Sequence, residues 1–135
     1  MDVKNFFQKI LSGNKSIQVP ATVKSSFAKQ FVEPLNIDWH KTGEQFEAVF
    51  YKDELEHIAR YTADGEITCL KVNLPLDSLP ELVSSAAQTH GELMNAISIL
   101  CDETQKYEVI VRDAELNRYF LLISPDGEVS EKEKL

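Results

Sequence analysis

Apolar residues in the first part of the chain recur at helical spacing in two segments. Residues 3–12 carry an apolar side chain at every third or fourth position, and Gly13 ends the pattern. A second segment lies between Pro20 and Pro34, and its apolar residues are four positions apart: Val23, Phe27 and Phe31. Because proline fits a helix start and disfavours helix just before it, a second helix is predicted from Ala21 to Phe31.

The pattern then changes to the alternation of apolar and polar residues that is typical of β-strands. Four strand-like segments follow, at residues 37–40, 46–51, 58–62 and 67–72. Asp64-Gly65 stands between the last two, and this dipeptide favours a tight hairpin turn. The first half of the chain is therefore predicted to be a helix followed by four strands.

The same order starts again after residue 78. A helix is predicted from Leu79-Pro80 to about Thr89, and its expected apolar side is Leu82, Val83 and Ala86. Strand-like segments follow at residues 96–101, 107–112, 118–123 and from Glu128 onwards. Asp126-Gly127 again precedes the last strand, so it is also predicted to be a tight turn.

A nearly constant offset relates the two halves. Pro20 and Pro80 differ by sixty positions, and the two Asp-Gly-Glu triplets differ by sixty-two. We therefore predict an α+β fold in a single domain over residues 1–135. It consists of an N-terminal helix (3–12) and two tandem α-β-β-β-β units that form one sheet, at about 19–73 and 79–134.

The charge balance excludes several classes of partner. The chain of 135 residues has 14 Lys and Arg against 22 Asp and Glu, a net charge of -8. Nucleic-acid and anionic membrane surfaces select clustered cations, so neither is an expected partner. No run approaches the roughly 18 apolar residues of a membrane helix, and the first residues do not resemble a signal peptide. These features favour a cytoplasmic protein, or a secreted one whose leader has been removed.

Cys69 and Cys101 both fall in apolar, strand-like stretches without a C-x-x-C motif or a neighbouring histidine. A metal or redox site is therefore not predicted. Two buried free thiols are expected, because free cysteine behaves as a small hydrophobic residue, and a disulfide is the alternative.

No residue pattern indicates catalysis or a cofactor. His40, His57 and His90 each lack a second ligand at metal-binding spacing, and phosphate-binding and nucleophile motifs are absent. Three acids cluster at Asp53, Glu54 and Glu56, in a predicted hairpin turn where solvated charges are expected. The protein is therefore predicted not to be an enzyme, and no cofactor or metal is expected.

The order of several short motifs resembles a known family. These motifs are Pro20…Phe27…Phe31, Ile37-Asp38-Trp39, Phe46-Glu47-Ala48-Val49-Phe50, Ala59-Arg60-Tyr61, Ala63-Asp64-Gly65-Glu66 and Leu79-Pro80. Together they resemble the PepSY-like, β-lactamase-inhibitor-like (BLIP-like) proteins of Bacteroidetes, over residues 19–135. The resemblance implies a curved antiparallel sheet with helices on one face, no catalytic residues, and a role as an inhibitor or sensor of other proteins.

Strand alternation divides the side chains between two faces of the sheet. One set is expected to face the helices: Phe46, Ala48, Phe50, Tyr107, Val109 and Val111. The opposite face is expected to carry four contact residues for a partner: Tyr51, Arg60, Arg112 and Tyr119. It also receives Leu121 and Ile123 in this assignment. Because none of the four contact residues is expected in the core, replacing all four with Ala is predicted to leave the fold intact.

The leading functional hypothesis is a protein- or peptide-binding module that uses this sheet face. The N-terminal helix or a second copy of the protein could instead cover part of it. One alternative is a small acidic cytoplasmic chaperone for a secreted effector. Another is a small-ligand carrier with an apolar crevice between the helices and the sheet.

The last strand indicates how the sheet ends. Residues 128–134 are highly charged, whereas their counterpart, residues 67–72, is mostly apolar. Charged side chains protect sheet edges from pairing with other chains. We therefore predict that 128–134 form an edge, that 67–72 lie inside the sheet, and that the protein is a monomer or a weak dimer.

Overall fold

The order of elements is helix, four strands, helix, four strands. A computed structural model describes residues 17–135, so the helix predicted over residues 3–12 lies outside the described part. The first half contains α1 (Ala21–Gln30), β1 (Leu35–Thr42), β2 (Gln45–Lys52), β3 (Leu55–Tyr61) and β4 (Ile67–Leu74). After a 3-10 turn (Leu76–Ser78), the second half contains α2 (Glu81–Gln88), β5 (Glu92–Cys101), β6 (Thr104–Arg112), β7 (Arg118–Ile123) and β8 (Val129–Lys134).

All eight strands form one antiparallel sheet in sequence order. Each strand pairs with its neighbours along the chain, so β1 and β8 are the edges and β4 pairs with β5 in the centre. The structure thus confirms that the charged segment 128–134 lies at an edge and that 67–72 lies inside the sheet. Five of the six residues of β8 are exposed, which fits the protective role of its charges.

Both helices begin directly after a proline. Pro20 and Pro80 have φ angles of -56° and -55°, the values that the proline ring imposes. The first helix ends one residue earlier than predicted, because Phe31 is already extended. In α2 the buried residues are Val83 and Ala87, whereas Leu82 is 61% exposed. The expectation that Leu82 lies on the apolar side is therefore wrong, since its neighbour Val83 takes the position facing the sheet.

The two helices pack on the same side of the sheet and cover separate apolar clusters. Val23 and Phe27 of α1 cover an aromatic cluster of the first half: Phe46, Phe50 and Tyr61, with Ala48 and Ala59. Val83 and Ala87 of α2 cover an aliphatic cluster of the second half: Leu79, Ala96, Val109, Val111, Leu121 and Ile123. The residues predicted to face the helices do so: Phe46, Ala48, Phe50, Tyr107, Val109 and Val111.

Each Asp-Gly pair forms a tight turn that touches a helix. Gly65 has φ +89°, and its N–H donates to Thr62 O at 3.0 Å; Gly127 has φ +91°, and its N–H donates to Ser124 O at 2.9 Å. A Cβ atom on Gly65 would lie 2.7 Å from the carbonyl oxygen of Thr22 in α1. On Gly127 it would lie 2.9 Å from that of Leu82 in α2. Both positions therefore require glycine, for conformation and for space.

Cys69 and Cys101 form a disulfide. The two residues are directly opposite each other on β4 and β5, with their Cα atoms 4.1 Å apart. The expectation of two free thiols is therefore wrong. The expectation failed because it did not include the register of the central strands. Their antiparallel pairing brings the two cysteine side chains together on one face of the sheet.

Neither described helix could cross a membrane. Within residues 17–135, no helix is long and apolar enough to do so.

Candidate functional site

The side of the sheet away from α1 and α2, here called the helix-free face, carries its own apolar cluster. Four of its residues are buried, namely Val49, Ile58, Ile97 and Phe120, and three partly buried residues pack against them, namely Ile99, Ile110 and Leu122. The cluster extends from β2 to β7 and so belongs to both halves of the chain. A face of this kind has the apolar centre that recognition surfaces share.

An ion pair stands beside this cluster, between neighbouring strands. Arg60 on β3 is directly opposite Glu47 on β2, and its Nη2 donates to Glu47 Oε2 at 3.2 Å. The Glu47 side chain is only 1% exposed, and its other oxygen, Oε1, accepts from the Thr42 hydroxyl at 2.6 Å. A buried carboxylate needs such partners because desolvation penalises its charge. Arg60 therefore supports the fold in addition to lying on the face.

Tyr51 lies on the same face at the end of β2. It is 36% exposed, and its hydroxyl donates to Glu56 Oε1 at 2.8 Å from the directly opposite position on β3. This hydrogen bond, together with the nearby negative charge of Glu56, raises the pKa of Tyr51 above 10.0. The hydrogen bond holds an exposed aromatic ring in one orientation, as a contact residue requires.

Arg112 lies at the end of β6, on the same face as Glu108 and Ile110. Its Nη2 is 3.4 Å from Glu92 Oε2, and both side chains are well exposed. Tyr51 and Arg112 lie at the same end of their strands, four strand spacings or about 19 Å apart along the sheet. Arg60 lies towards the opposite end of the sheet, next to Cys69. The three side chains thus surround the apolar cluster instead of forming one compact site.

Tyr119 lies on the opposite side of the sheet. It pairs with Val111, packs against the cluster beneath α2, and Lys132 lies over its ring at 4.7 Å. The assignment of Tyr119 to the helix-free face is therefore wrong, as is that of Leu121 and Ile123. Residues 119–123 are all apolar or aromatic, so alternation does not show which of them face the helices. The pairing with β6 decides it.

The sequence interpretation missed several, but not all, of the residues that form the apolar cluster of this face. Phe120 and Leu122 were missed because the sequence interpretation assigned the residues of β7 to the wrong faces. Ile97 was missed because the sequence does not show how β5 pairs with its neighbours. The pairing of Arg60 with Glu47, in contrast, could have been predicted from the sequence. The two residues are equidistant from the Asp53-Glu54 turn, as directly opposite residues of a two-residue hairpin are.

The histidine ring nearest the aromatic cluster makes packing contacts. His57 Nδ1 is 2.8 Å from Leu55 O, and its ring stacks on Phe50, which are packing contacts. No group of three His, Cys, Asp or Glu side chains within residues 17–135 could hold a metal ion.

An open groove lies at the junction of the two halves. Its volume is about 520 Å³, and its lining comes from the adjoining ends of β4 and β5 and the turn after β5: Ile67, Thr68, Cys69, Leu70, Leu100, Asp102 and Glu103. None of these residues belongs to a helix. The groove therefore differs from the helix–sheet crevice expected of a small-ligand carrier.

Comparisons with known proteins show the fold. No protein-family profile and no curated protein matches the sequence. Solved structures do match: DUF2874 family proteins from Bacteroides uniformis (TM-score 0.75, 18% identity) and Bacteroides ovatus (0.74, 17%), and a BLIP-like protein from Bacteroides fragilis (0.73, 14%). The alignments cover 87%, 88% and 89% of this chain and 90%, 89% and 89% of the others. None of these descriptions names a catalytic activity. The chain thus shares the fold of BLIP-like and DUF2874 proteins of Bacteroides.

Proposed function

We propose that this protein is a non-enzymatic binding module whose helix-free face receives a protein or peptide segment. The observation that carries the proposal is the apolar cluster of that face, from Val49 on β2 to Phe120 on β7. A sheet that needed only one core would place polar side chains on its second face. An apolar centre with a charged and aromatic periphery is instead the composition of protein interfaces.

The exposed periphery supplies the contact residues of this proposal. Tyr51 and Arg112 are about one third exposed and stand at one end of the face. Tyrosine and arginine contribute much of the binding energy in protein interfaces, because each combines a large contact area with directional hydrogen bonding. Arg60 contributes mainly by keeping Glu47 paired.

The disulfide supports a location in an oxidising compartment, such as a periplasm or the cell exterior. Structural disulfides persist there and are rare in reducing cytoplasm. The Cys69–Cys101 bond therefore favours a secreted binding module over a cytoplasmic chaperone.

We also propose that the two halves are tandem structural repeats, in line with the nearly constant offset between their sequences. In each half, a proline starts the helix, and the glycine of an Asp-Gly turn approaches the carbonyl two residues after that proline. This shared contact is difficult to obtain by chance. Each repeat then supplies half of the helix-free face.

Affinity capture followed by direct binding tests the proposal. The wild-type chain is used to capture proteins from the native lysate, and each captured protein is purified and titrated calorimetrically. The double variant Tyr51→Ala/Arg112→Ala should weaken binding of the true partner by about tenfold or more, because hot-spot truncations cost about 2 kcal/mol.

The matched control removes two exposed side chains from the helix side, Leu82→Ala and Lys29→Ala. It should bind as the wild type does. Equal binding by the face variant, or a loss with the helix-side control alone, would contradict the use of the helix-free face. Arg60 is left unchanged in both variants, so that a loss of stability is not mistaken for a loss of binding.

A further inference from the structure

The groove at the junction of the two halves exposes apolar side chains at one end of the central strand pair. Leu100 on β5 is 43% exposed, and Ile67 at the start of β4 is 39% exposed. Leu70 packs against the aromatic cluster beneath α1, and Leu100 lies directly opposite it, so both face the helix side of the sheet. Neither Leu100 nor Ile67 belongs to the clusters that α1 and α2 cover. This end of the central pair therefore keeps apolar surface accessible.

Several contacts between strands hold the shape of the groove. The Cys69–Cys101 disulfide ties β4 to β5 beside it. Beyond that pair, the backbone N–H of Asp102 donates to Thr68 O at 3.1 Å, which fixes the turn after β5 against β4. The Thr68 hydroxyl in turn donates to Gln45 Oε1 on β2 at 3.0 Å. A groove held in this way is preformed, so a ligand does not have to order it on binding.

Negative charge lines one side of the groove. Asp102 and Glu103 form the turn between β5 and β6, and both side chains are exposed. Neither carboxylate has an ion-pair partner within residues 17–135, and the described lining contains no Lys or Arg. Asp64 and Glu66 lie at the β3–β4 turn, at the same end of the sheet and about two strand spacings or 10 Å away. Charges at this distance still act together, because the screening length is about 10 Å at 0.1 M salt.

We propose that this groove is a second binding site, which takes an extended segment of a partner protein with an apolar residue and a Lys or Arg two positions apart. The apolar side chain packs on Leu70 and Leu100, and the cation pairs with Asp102 or Glu103. The spacing follows from backbone geometry. Leu100 and Asp102 are two residues apart at the end of β5, and side chains i and i+2 of an extended segment share one face at a separation of about 7 Å.

The shape of the groove and the charge of the chain favour this occupant over the others. A small-molecule pocket buries most of its ligand, whereas an open groove of about 520 Å³ leaves one side of its occupant in water, as suits a segment of a longer chain. A second copy of this protein would bring another net charge of -8 to an acidic site. The groove is also separate from the contact residues of the proposed function, because Tyr51 and Arg112 lie at the opposite end of the sheet.

Titration of the full chain with a short peptide, followed by nuclear magnetic resonance, tests the site directly. The probe is the pentapeptide Ser-Leu-Ser-Arg-Ser with blocked ends. At millimolar peptide, saturable shifts are expected at the methyl groups of Leu70 and Leu100 and at the amide of Asp102. The isomer Ser-Leu-Arg-Ser-Ser directs its cation away from the turn and should bind several-fold more weakly. Equal binding of the two isomers, no saturable shift, or shifts centred on Val49 and Phe120 of the helix-free face would overturn the proposal.

A pair of charge variants separates this site from general attraction to an acidic protein. Asp102→Asn/Glu103→Gln should weaken binding of the first peptide several-fold and make it less sensitive to salt. The matched control is Asp53→Asn/Glu54→Gln, which removes the same charge from the turn between β2 and β3 at the opposite end of the sheet. Its two residues have φ angles of 52° and 66°, close to the 47° and 66° of the first pair. The control should bind as the wild type does, and equal weakening in both variants would contradict a local site.

Truncation of exposed side chains tests the apolar contact and separates it from the proposed function. Leu100→Ala should weaken peptide binding while its amide spectrum shows an intact fold, because the side chain is already 43% exposed. Leu116→Ala, which removes a leucine that is 69% exposed in the β6–β7 turn, should bind as the wild type does. Equal losses in these two variants would overturn the proposal. So would a loss with Tyr51→Ala/Arg112→Ala, because the peptide would then occupy the helix-free face.

Discussion

At the scale of single residues, similar ion pairs on the helix-free face have different roles. Arg60 faces Glu47, a carboxylate almost out of contact with water, whereas Arg112 faces Glu92, whose side chain is 67% exposed. Exposed pairs are weak because water and salt screen them, but a buried charge depends on its partner. Burial of the acid therefore decides how much each arginine stabilises the fold.

Arg60→Ala should lower the free energy of unfolding by about 2–4 kcal/mol, because it removes a partner from the buried carboxylate of Glu47. Arg112→Ala is the matched control and should cost less than about 1 kcal/mol. Urea denaturation of both variants measures the difference. Equal losses would contradict the structural role of Arg60. The expectation that all four predicted contact residues can be replaced without harm is thus revised for Arg60.

A buried tyrosine should make the free energy of unfolding fall as the pH becomes alkaline. Tyr61 is buried beneath α1, its hydroxyl donates to Gln30 Oε1 at 2.6 Å, and burial raises its pKa from 10.0 to about 12. The unfolded chain therefore loses this proton first. The stability contribution is complete below pH 10 and is lost as the pH rises from 10 to about 12.

The urea midpoint of the wild type should accordingly fall across that interval. Tyr61→Phe cannot ionise at this position, so its midpoint should fall less steeply over the same interval. Parallel curves for the two proteins would show that ionisation of Tyr61 does not contribute. Fluorescence-detected unfolding through Trp39, whose ring is 6.4 Å from that of Tyr61, follows the transition close to the site.

At the scale of elements, local sequence patterns predicted where the strands lie. The faces of β7 and the contact between the two cysteines depend on long-range strand pairing, which local patterns do not show. Each of the eight described strands overlaps a predicted segment, because apolar runs bounded by turn residues are a property of the segment itself. The phase of β7 failed because residues 119–123 are apolar on both faces. The disulfide was missed because β4 and β5 are joined through a helix instead of a hairpin turn, so no turn fixes their register.

The disulfide should stabilise the central strand pair. It closes a loop with a sequence separation of 32, for which restriction of the unfolded chain predicts a contribution of about 3–4 kcal/mol. The double variant Cys69→Ala/Cys101→Ala should be less stable than the wild type by about that amount. Its stability should not respond to a reducing agent, whereas that of the wild type should fall. If a reducing agent does not change the urea midpoint of the wild type, the disulfide is not formed.

At the scale of the whole molecule, residues 17–135 form a single sheet with β1 and β8 as its edges, and charge protects the last strand. Of β8, Glu131, Lys132, Glu133 and Lys134 are all exposed. Charged edges disfavour pairing with other chains, which is consistent with the expectation of a monomer or weak dimer.

A variant of β8 with a neutral, strand-forming edge tests this role of charge. It carries Glu131→Val, Lys132→Thr, Glu133→Val and Lys134→Thr. We expect this variant to self-associate at concentrations where the wild type remains monomeric. Light scattering coupled to size-exclusion chromatography measures both. A control with the same number of substitutions on α1, Lys24→Thr and Lys29→Thr with Thr22→Val and Ser25→Val, should not associate. A monomeric edge variant would show that charge on β8 is not what limits assembly.

The strand order also has a consequence for synthesis of the chain. Every strand pair except β4–β5 is joined by a short turn, so hairpins of the first half can form within microseconds of emerging. Ribosomes add about 5–20 residues per second, so the second half follows several seconds later. During that interval β4, with Ile67, Leu70 and Val72, is a temporary edge without the charges that β8 carries. The nascent chain is therefore most prone to aggregation before β5 arrives, a vulnerability that the finished protein no longer shows.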